Sequence, residues 1–387
     1  MDILGYQREN GTFGIRNYLL VIPASVCAVE VANRIAEKVG AVSLPHQHGC
    51  CQMGADFRQT MRTLTGFGKN PNVGAVLVVG LGCEGIQSGE IVDEIQKTGK
   101  PVEAITIQEW GGTTKTVAKG ISIAQELVKK LSAVRRTPFS VCHLILGMEC
   151  GGSDPTSGIV ANPAIGIASD RLVACGGSSI LSETTEVIGA EHILAERFPD
   201  LKEREKFLTM VAAVEKRALA AGEDLRGSQP TPGNIQGGLS TIEEKSLGCM
   251  HKAGDTAPFL GALAYGEEVP PEKPGLYFMD SPGQDIDSIT GMVAGGAQLV
   301  VFTTGRGTPT GCPIVPVIKI TGNPETYQNM EENIDINGGK VILGECTLEE
   351  LGAEIFEKMI AVTNGEDTKA EKLGHREFGI YRIGFTF

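Results

Sequence analysis

The 387-residue sequence predicts an α/β protein built as two halves, each a parallel sheet laid down by β-α-β units. Three observations lead there. Apolar runs without alternation, such as Gly74-Ala-Val-Leu-Val-Val-Gly80, suit strands covered on both faces. Amphipathic helical stretches separate these runs, as parallel neighbours require. Four predicted strands end in glycine-flanked polar loops: Gly49-Cys50, Gly82-Cys83-Glu84, Glu149-Cys150-Gly151 and Thr304-Gly305-Arg306-Gly307. Parallel sheets hold ligands at their carboxyl ends, so these loops are expected to converge on one site.

The chain opens with a buried strand over 18–26 and a helix from Ala28 to Val39. A short strand, Ala41 to Pro45, ends in His46-Gln47-His48-Gly49-Cys50-Cys51. A helix over 56–66 precedes the strand 74–80. Helix 91–98, strand 102–107 and helix 115–133 complete the first half. The segment from Lys129-Lys130 through Arg135-Arg136-Thr137-Pro138 is basic and proline-ended. It marks the boundary between an α/β domain over 1–136 and a C-terminal catalytic α/β domain over 137–387. The second half begins with a strand over 141–146 and the loop Gly147-Met148-Glu149-Cys150-Gly151-Gly152-Ser153-Asp154. Helix 163–174, strand 178–181 and a long charged helix over 191–221 follow. Residues 222–241 read as a surface excursion rich in Gly, Pro, Ser and Gln, and 254–274 as further loop. Helix 286–295 leads into strand 298–303.

A hydrophobic content of 41% supplies ample core for two domains. The net charge is −13 with no basic run, which argues against nucleic acid and anionic membranes as partners and leaves room for a local cationic pocket. The amino terminus has no signal-peptide pattern, and no apolar run reaches the roughly 18 residues of a membrane span, so a cytoplasmic location is expected. Ten cysteines in such a chain argue for metal or redox chemistry in a subset rather than a disulfide framework. Cys27, Cys142, Cys175, Cys249 and Cys346 lie in apolar or helical surroundings, or outside glycine loops, and read as small buried hydrophobes.

The strongest chemical set is His46, His48, Cys50, Cys83, Glu84, Glu149 and Cys150. Thiolate and imidazole ligate iron or zinc, and single ligands from separate strand ends are the pattern of a catalytic metal site. The alternative is that small cysteines are simply tolerated in tight loops. Cys50, Cys83 and Cys150 also fit three ligands of an iron–sulfur cluster, the less favoured reading. Gly80-x-Gly82-x-x-Gly85 formally matches a dinucleotide loop, but Cys83 and Glu84 would crowd and repel a pyrophosphate. Arg306, between glycines at a strand end and beside Thr303 and Thr304, suits a substrate carboxylate. Ser153 and Asp154 either bind substrate hydroxyls or cap the next helix. Glu183, Glu186, Glu191 and His192 read as a solvated acidic helix start. His143 and His375 are given no role.

With these residues in view, the sequence resembles the altronate and galactarate dehydratase family, which includes the large subunit of sulfolactate sulfo-lyase. The resemblance runs from Gly5-Tyr6-x-Arg8 and Gly14-Ile15-Arg16-Asn17-Tyr18 to Leu373-Gly374-His375. It is most specific at His46-x-x-Gly49-Cys50, Gly80-Leu81-Gly82-Cys83-Glu84, Glu149-Cys150-Gly151-Gly152-Ser153-Asp154, Glu191-His192 and Phe302-Thr303-Thr304-Gly305-Arg306-Gly307. The resemblance implies a lyase that removes water from a sugar acid to give a 2-keto-3-deoxy acid with the help of Fe2+. It places His46, Cys50, Cys83 and Cys150 near the metal, makes Glu84 or Glu149 a ligand or acid/base, gives His46 a catalytic role and sets Arg306 on the carboxylate. Single-chain members begin with a further small domain, whereas this chain starts at Gly5-Tyr6-x-Arg8. A separate small subunit is therefore expected, alongside assembly as a homo-oligomer. The family usually has Gly-Cys-Gly where this chain has Gly49-Cys50-Cys51. Altronate ranks first as substrate, galactarate or another aldarate second and sulfolactate third. Readings from other classes are a nucleotide-dependent oxidoreductase and a non-catalytic scaffold subunit.

Overall fold

A computed structural model describes residues 2–387. The expected α/β architecture is present as two all-parallel sheets. The four-stranded sheet is ordered Val42–Ser43, Tyr18–Pro23, Val73–Gly80, Val102–Thr106. The seven-stranded sheet is ordered Phe259–Leu263, Leu276–Met279, Ser178–Leu181, Ile145–Gly151, Leu299–Thr304, Val317–Thr321, Ile336–Asn337. A small antiparallel sheet joins Asp2–Gln7 to Phe13–Gly14 and Thr137–Ser140, so the amino-terminal strand pairs with the segment that links the halves.

The apolar strand Val73–Gly80 is buried along its whole length because both faces are covered. Its period-two alternation divides it between two cores. Val76 and Val78 pack with Leu20 and Ile22 against Met292 and Val293 of the second half. Ala75, Leu77 and Val79 pack with Ile35 and Leu127 under the helices Val29–Val39 and Thr113–Ser132.

The halves are fastened by polar groups that lie in the interior. The Asn70 side-chain amide donates to the carbonyls of Val293 and Ala297 at 3.0 and 2.8 Å. That of Asn72 donates to Gln298 and Ile314 at 2.9 and 3.0 Å. Arg16 spends its guanidinium on the carbonyls of Val362 and Glu366 and on the Glu371 carboxylate. Helix Gly54–Lys69 crosses helix Asp285–Ala294 at Gly66, where an added Cβ would lie 2.4 Å from the Ala294 carbonyl oxygen.

Several expectations are corrected. The strand expected over 141–146 runs over Ile145–Gly151, so Glu149 and Cys150 are strand residues and the loop begins at Gly152. The long helix expected over 191–221 is broken into Glu191–Ala195 and Leu201–Ala220. Pro199 cannot supply the helical N–H, and Asp200 caps the second helix by accepting from the Lys202 N–H at 2.8 Å. The excursion 222–241 contains the short helices Leu225–Ser228 and Pro232–Gln236, and the stretch 254–274 contains the edge strand Phe259–Leu263. No helix among the described residues is long and apolar enough to cross a membrane.

Candidate active site

The carboxyl ends of the seven-stranded sheet hold a cluster of buried ionisable groups. Strand Ile145–Gly151 delivers Glu149 and Cys150, and the turn after strand Ser178–Leu181 delivers Glu183 and Glu186. Helix Ile242–Met250 and the turn His251–Ala253 contribute Lys245, Cys249 and Lys252. The start of helix Asp285–Ala294 brings Asp285 and Ser288. Gly151 lets the Asp285 carboxyl approach, since a Cβ there would lie 2.5 Å from its Oδ2.

The contacts are specific. Lys252 Nζ donates to Glu183 Oε2 at 2.5 Å, and the Cys150 N–H and thiol donate to the same oxygen at 3.1 and 3.4 Å. Cys150 Sγ lies 3.4 Å from Cys249 Sγ, which lies 3.4 Å from Glu186 Oε2. Lys245 Nζ pairs with Glu186 Oε1 at 2.8 Å. Ser288 Oγ donates to Glu149 Oε2 at 2.6 Å. Glu149 Oε1 and Glu183 Oε1 are buried without a partner. Glu183 has a φ of 70°, left-handed for a non-glycine residue, and its N–H donates to Ser281 Oγ at 2.8 Å.

Burial, reinforced by Glu183, pushes the Glu149 carboxyl well above the usual carboxylate range. Asp285 is raised to about 7, first by burial and then by Glu183 and Glu186. The Cys150 thiol is raised by its contact with Cys249 and by burial. For Lys252 burial opposes the charge, but Cys150 and Glu183 outweigh it and keep the amine protonated. Carboxylates and thiols thus outnumber ammonium groups in this largely buried cluster.

That surplus fits a divalent cation. Sγ of Cys150, Sγ of Cys249 and a Glu186 oxygen lie within 4.8 Å of one another, and no other such group of three His, Cys, Asp or Glu ligands occurs among the described residues. Two thiolates and a carboxylate suit a borderline-soft ion such as Fe2+ or Zn2+. The unpartnered oxygens of Glu149 and Glu183 are further free donors beside this set.

The expected ligand set of His46, Cys50, Cys83 and Cys150 is not brought together. Only Cys150 lies in the buried cluster, and no hydrogen bond among the described residues joins it to the other three. These sit at the carboxyl end of the four-stranded sheet. His46 is buried with both nitrogens engaged: Nε2 donates to the Pro23 carbonyl at 2.8 Å, and Nδ1 accepts the His48 N–H at 3.1 Å. Both ring nitrogens are thus held by backbone groups. Glu84 turns its carboxylate onto the N–H groups of Leu81, Gly82 and Cys83, at 3.0, 2.5 and 3.0 Å. It therefore closes its own loop, and it fills the donors a nucleotide phosphate would need. Cys50 and Cys83 are exposed, and Gln108 donates to the Cys83 sulfur at 3.4 Å.

Of the expected substrate residues, Ser153 and Asp154 line a cavity beside the cluster, and Thr303, Thr304 and Arg306 do not. That cavity, of about 220 Å³, is bordered by Ser153, Asp154, Asn162, Lys245, Cys249 and His251. Asp154 behaves as a cap: Oδ1 accepts from Thr156 Oγ1 and the Ser157 N–H, and Oδ2 accepts from Asn323. Thr303 donates to Asn162 Oδ1 at 2.6 Å, and Thr304 Oγ1 accepts the Gly307 N–H at 2.9 Å. Arg306 is exposed and donates to the Gly233 carbonyl at 2.7 Å, tying its loop to the helix Pro232–Gln236.

Sequence reasoning missed Lys245, Cys249, Lys252 and Asp285 and read Glu183 and Glu186 as solvated. A signal existed in Cys249-x-x-Lys252, which puts a thiol and an amine one turn apart. Glu183-Thr-Thr-Glu186 begins two residues after the strand Ser178–Leu181, a position as suggestive as Glu149-Cys150.

The parallel strand ends thus bring together carboxyls, thiols and amines suited to acid–base chemistry and metal binding. Comparison with known proteins supplies the family. Residues 5–132 match the model of the D-galactarate dehydratase/altronate hydrolase second domain, and residues 141–386 match that of the D-galactarate/altronate dehydratase C-terminal domain. The chain is 41% identical to the (2R)-sulfolactate sulfo-lyase subunit beta of Chromohalobacter salexigens, covering 98% of this chain and 97% of that protein. It is 34% identical to the altronate dehydratase of Bacillus subtilis, covering 99% of this chain and 78% of that protein. The galactarate dehydratase (L-threo-forming) of Escherichia coli is also 34% identical, over 97% of this chain and 76% of that protein. The chain belongs to the D-galactarate/altronate dehydratase family, and it is an enzyme of the hydro-lyase type.

Proposed function

We propose that this enzyme removes water from an anionic sugar acid, altronate first, to give a 2-keto-3-deoxy acid, with a divalent metal bound by Cys150, Cys249 and Glu186. The observation that carries the reading is the buried cluster, in which those three ligands stand beside a buried carboxyl with an unpartnered oxygen and two amines paired with carboxylates.

When bound, the metal supplies Lewis-acid stabilisation of the charge that develops next to the substrate carboxylate. Asp285, raised to about 7, is suited to accept the proton next to that carboxylate. Glu149, whose burial favours the protonated carboxyl, is suited to donate to the departing hydroxyl through Oε1, which has no other partner. Lys245 pairs with Glu186 and Lys252 with Glu183, which offsets part of the negative charge an anionic substrate would meet. Arg306, released from Gly233, offers its fork to the carboxylate at the mouth.

A separate small subunit completes the enzyme in this reading. The match to a subunit beta spans nearly all of both chains, whereas the altronate and galactarate relatives are longer. The same match favours a second reading, elimination of sulfite from sulfolactate. The test is 2-keto acid production under anaerobic conditions with Fe2+, from altronate, galactarate and sulfolactate, with and without the small subunit. Keto acid with sulfite release would select the second reading. No product from any substrate with metal and partner present would refute both.

A further inference from the structure

We propose that Cys50 and Cys51 form a reversible dithiol–disulfide site that a low-molecular-weight disulfide oxidises, and that its closure loosens the carboxyl-terminal tail. The site lies on the four-stranded sheet, apart from the Cys150 cluster, and is independent of the reaction proposed above.

The two sulfurs are 3.7 Å apart and both side chains are exposed. The loop that carries them is fixed from both sides. Gly49 O accepts the N–H groups of Gly85 and Ile86 at 3.0 and 3.1 Å, and the Gly49 N–H donates to Gln52 Oε1 at 3.0 Å. Backbone held this way presents adjacent thiols without the entropy loss of ordering them first. Contact with Cys50 holds the Cys51 thiol above its ordinary range.

The step balances with the oxidant. Cys50 thiolate attacks one sulfur of the small disulfide and expels one thiol, and Cys51 then attacks Cys50 and expels the second. The Cys50–Cys51 sulfur–sulfur bond forms, the external one breaks, and two electrons and two protons leave with the two thiols.

The tail is coupled through backbone. Cys51 has a φ of 51°, and its carbonyl accepts the Phe387 N–H at 3.1 Å, while Gln52 bridges to Thr386. Ring closure acts on that φ and so redirects the carbonyl. Arg382, whose guanidinium donates to Gly384 O at 3.0 Å and Thr386 Oγ1 at 2.9 Å, then loses partners held in place by the tail.

The test uses the full-length protein incubated with glutathione disulfide, read by intact mass, peptide mapping and trypsin cleavage after Arg382. The expected product is about 2 Da lighter, bridged between Cys50 and Cys51, reversed by dithiothreitol and cleaved after Arg382 several-fold faster than the reduced protein. Cys51→Gly, which tolerates the same φ, and Cys50→Ser should show neither change, whereas Cys175→Ser should behave as wild type. Stable glutathione adducts without ring closure, or a bridge to Cys83, would overturn the site. Equal cleavage in both redox states would overturn its coupling to the tail.

Discussion

Lys252 and Glu183 form an ion pair at 2.5 Å with both side chains fully shielded from solvent. Glu183 Oε2 is also the oxygen that receives the N–H and thiol of Cys150, so this pair sets the position of the thiol that faces Cys249. The pair links the charge balance of the site to its ligand geometry.

Removing one member should therefore be costly. Lys252→Met leaves Glu183 buried and uncompensated and is expected to lower stability by about 3–5 kcal/mol. Adding Glu183→Gln should recover part of that loss. Urea unfolding of the single and double variants gives the comparison, and equal losses in both would show that the pair is not coupled.

Glu149 and Arg306 should separate kinetically. Glu149→Gln keeps the shape and removes the proton, so kcat should fall by about 10²-fold or more with KM little changed. Arg306→Lys loses the planar fork, so KM for the sugar acid should rise by about tenfold with a smaller effect on kcat. The opposite pattern in either variant would reverse the assigned roles.

The buried His46 imparts a pH dependence to stability. Burial lowers it from 6.5 to about 4 in the folded protein. Between those values the unfolded chain binds a proton that the folded chain refuses, so stability is present above pH 6.5 and is lost as pH falls towards 4. The contribution reaches up to about 3 kcal/mol at its limit. His46→Gln should flatten the unfolding free energy across that window, at some cost in stability at neutral pH. An unchanged acid limb would show that His46 is not the group responsible.

The joint between the halves should be sensitive at Gly66. Gly66→Val places side-chain atoms against the Ala294 backbone, where even a Cβ would lie 2.4 Å from the carbonyl oxygen. Overpacking of this kind costs about 1–3 kcal/mol. A thermal melt should show the loss, and none is expected for valine at the open, right-handed helical position of Gly89 beyond its helix propensity.

How much of this was legible in sequence follows the range of each interaction. Strand Val73–Gly80 and its neighbours were readable because burial on both faces leaves an unbroken apolar run. Glu149 and Cys150 stood out through their glycines, although the strand extends further than its apolar pattern. Cys249 and Lys252 gave little sign: they lie about 100 residues from Cys150 and reach it only through tertiary packing. Glu183 and Glu186 were misread because an acidic pair after a strand is usually solvated, and here two lysines from a distant helix and turn accompany them inside. His46 and Glu84 stood out through their chemistry, and the backbone groups that hold their side chains in place are ones no sequence pattern reveals.

The most direct measurement is metal binding to the full-length protein, purified anaerobically and reconstituted with Fe2+, comparing wild type with Cys249→Ser and with a Cys50→Ser/Cys83→Ser double variant. About one iron per chain should be bound by wild type and by the double variant and be lost from Cys249→Ser, with folding retained in all three. Iron retained by Cys249→Ser and lost from the double variant would contradict the assignment and move the metal to the four-stranded sheet.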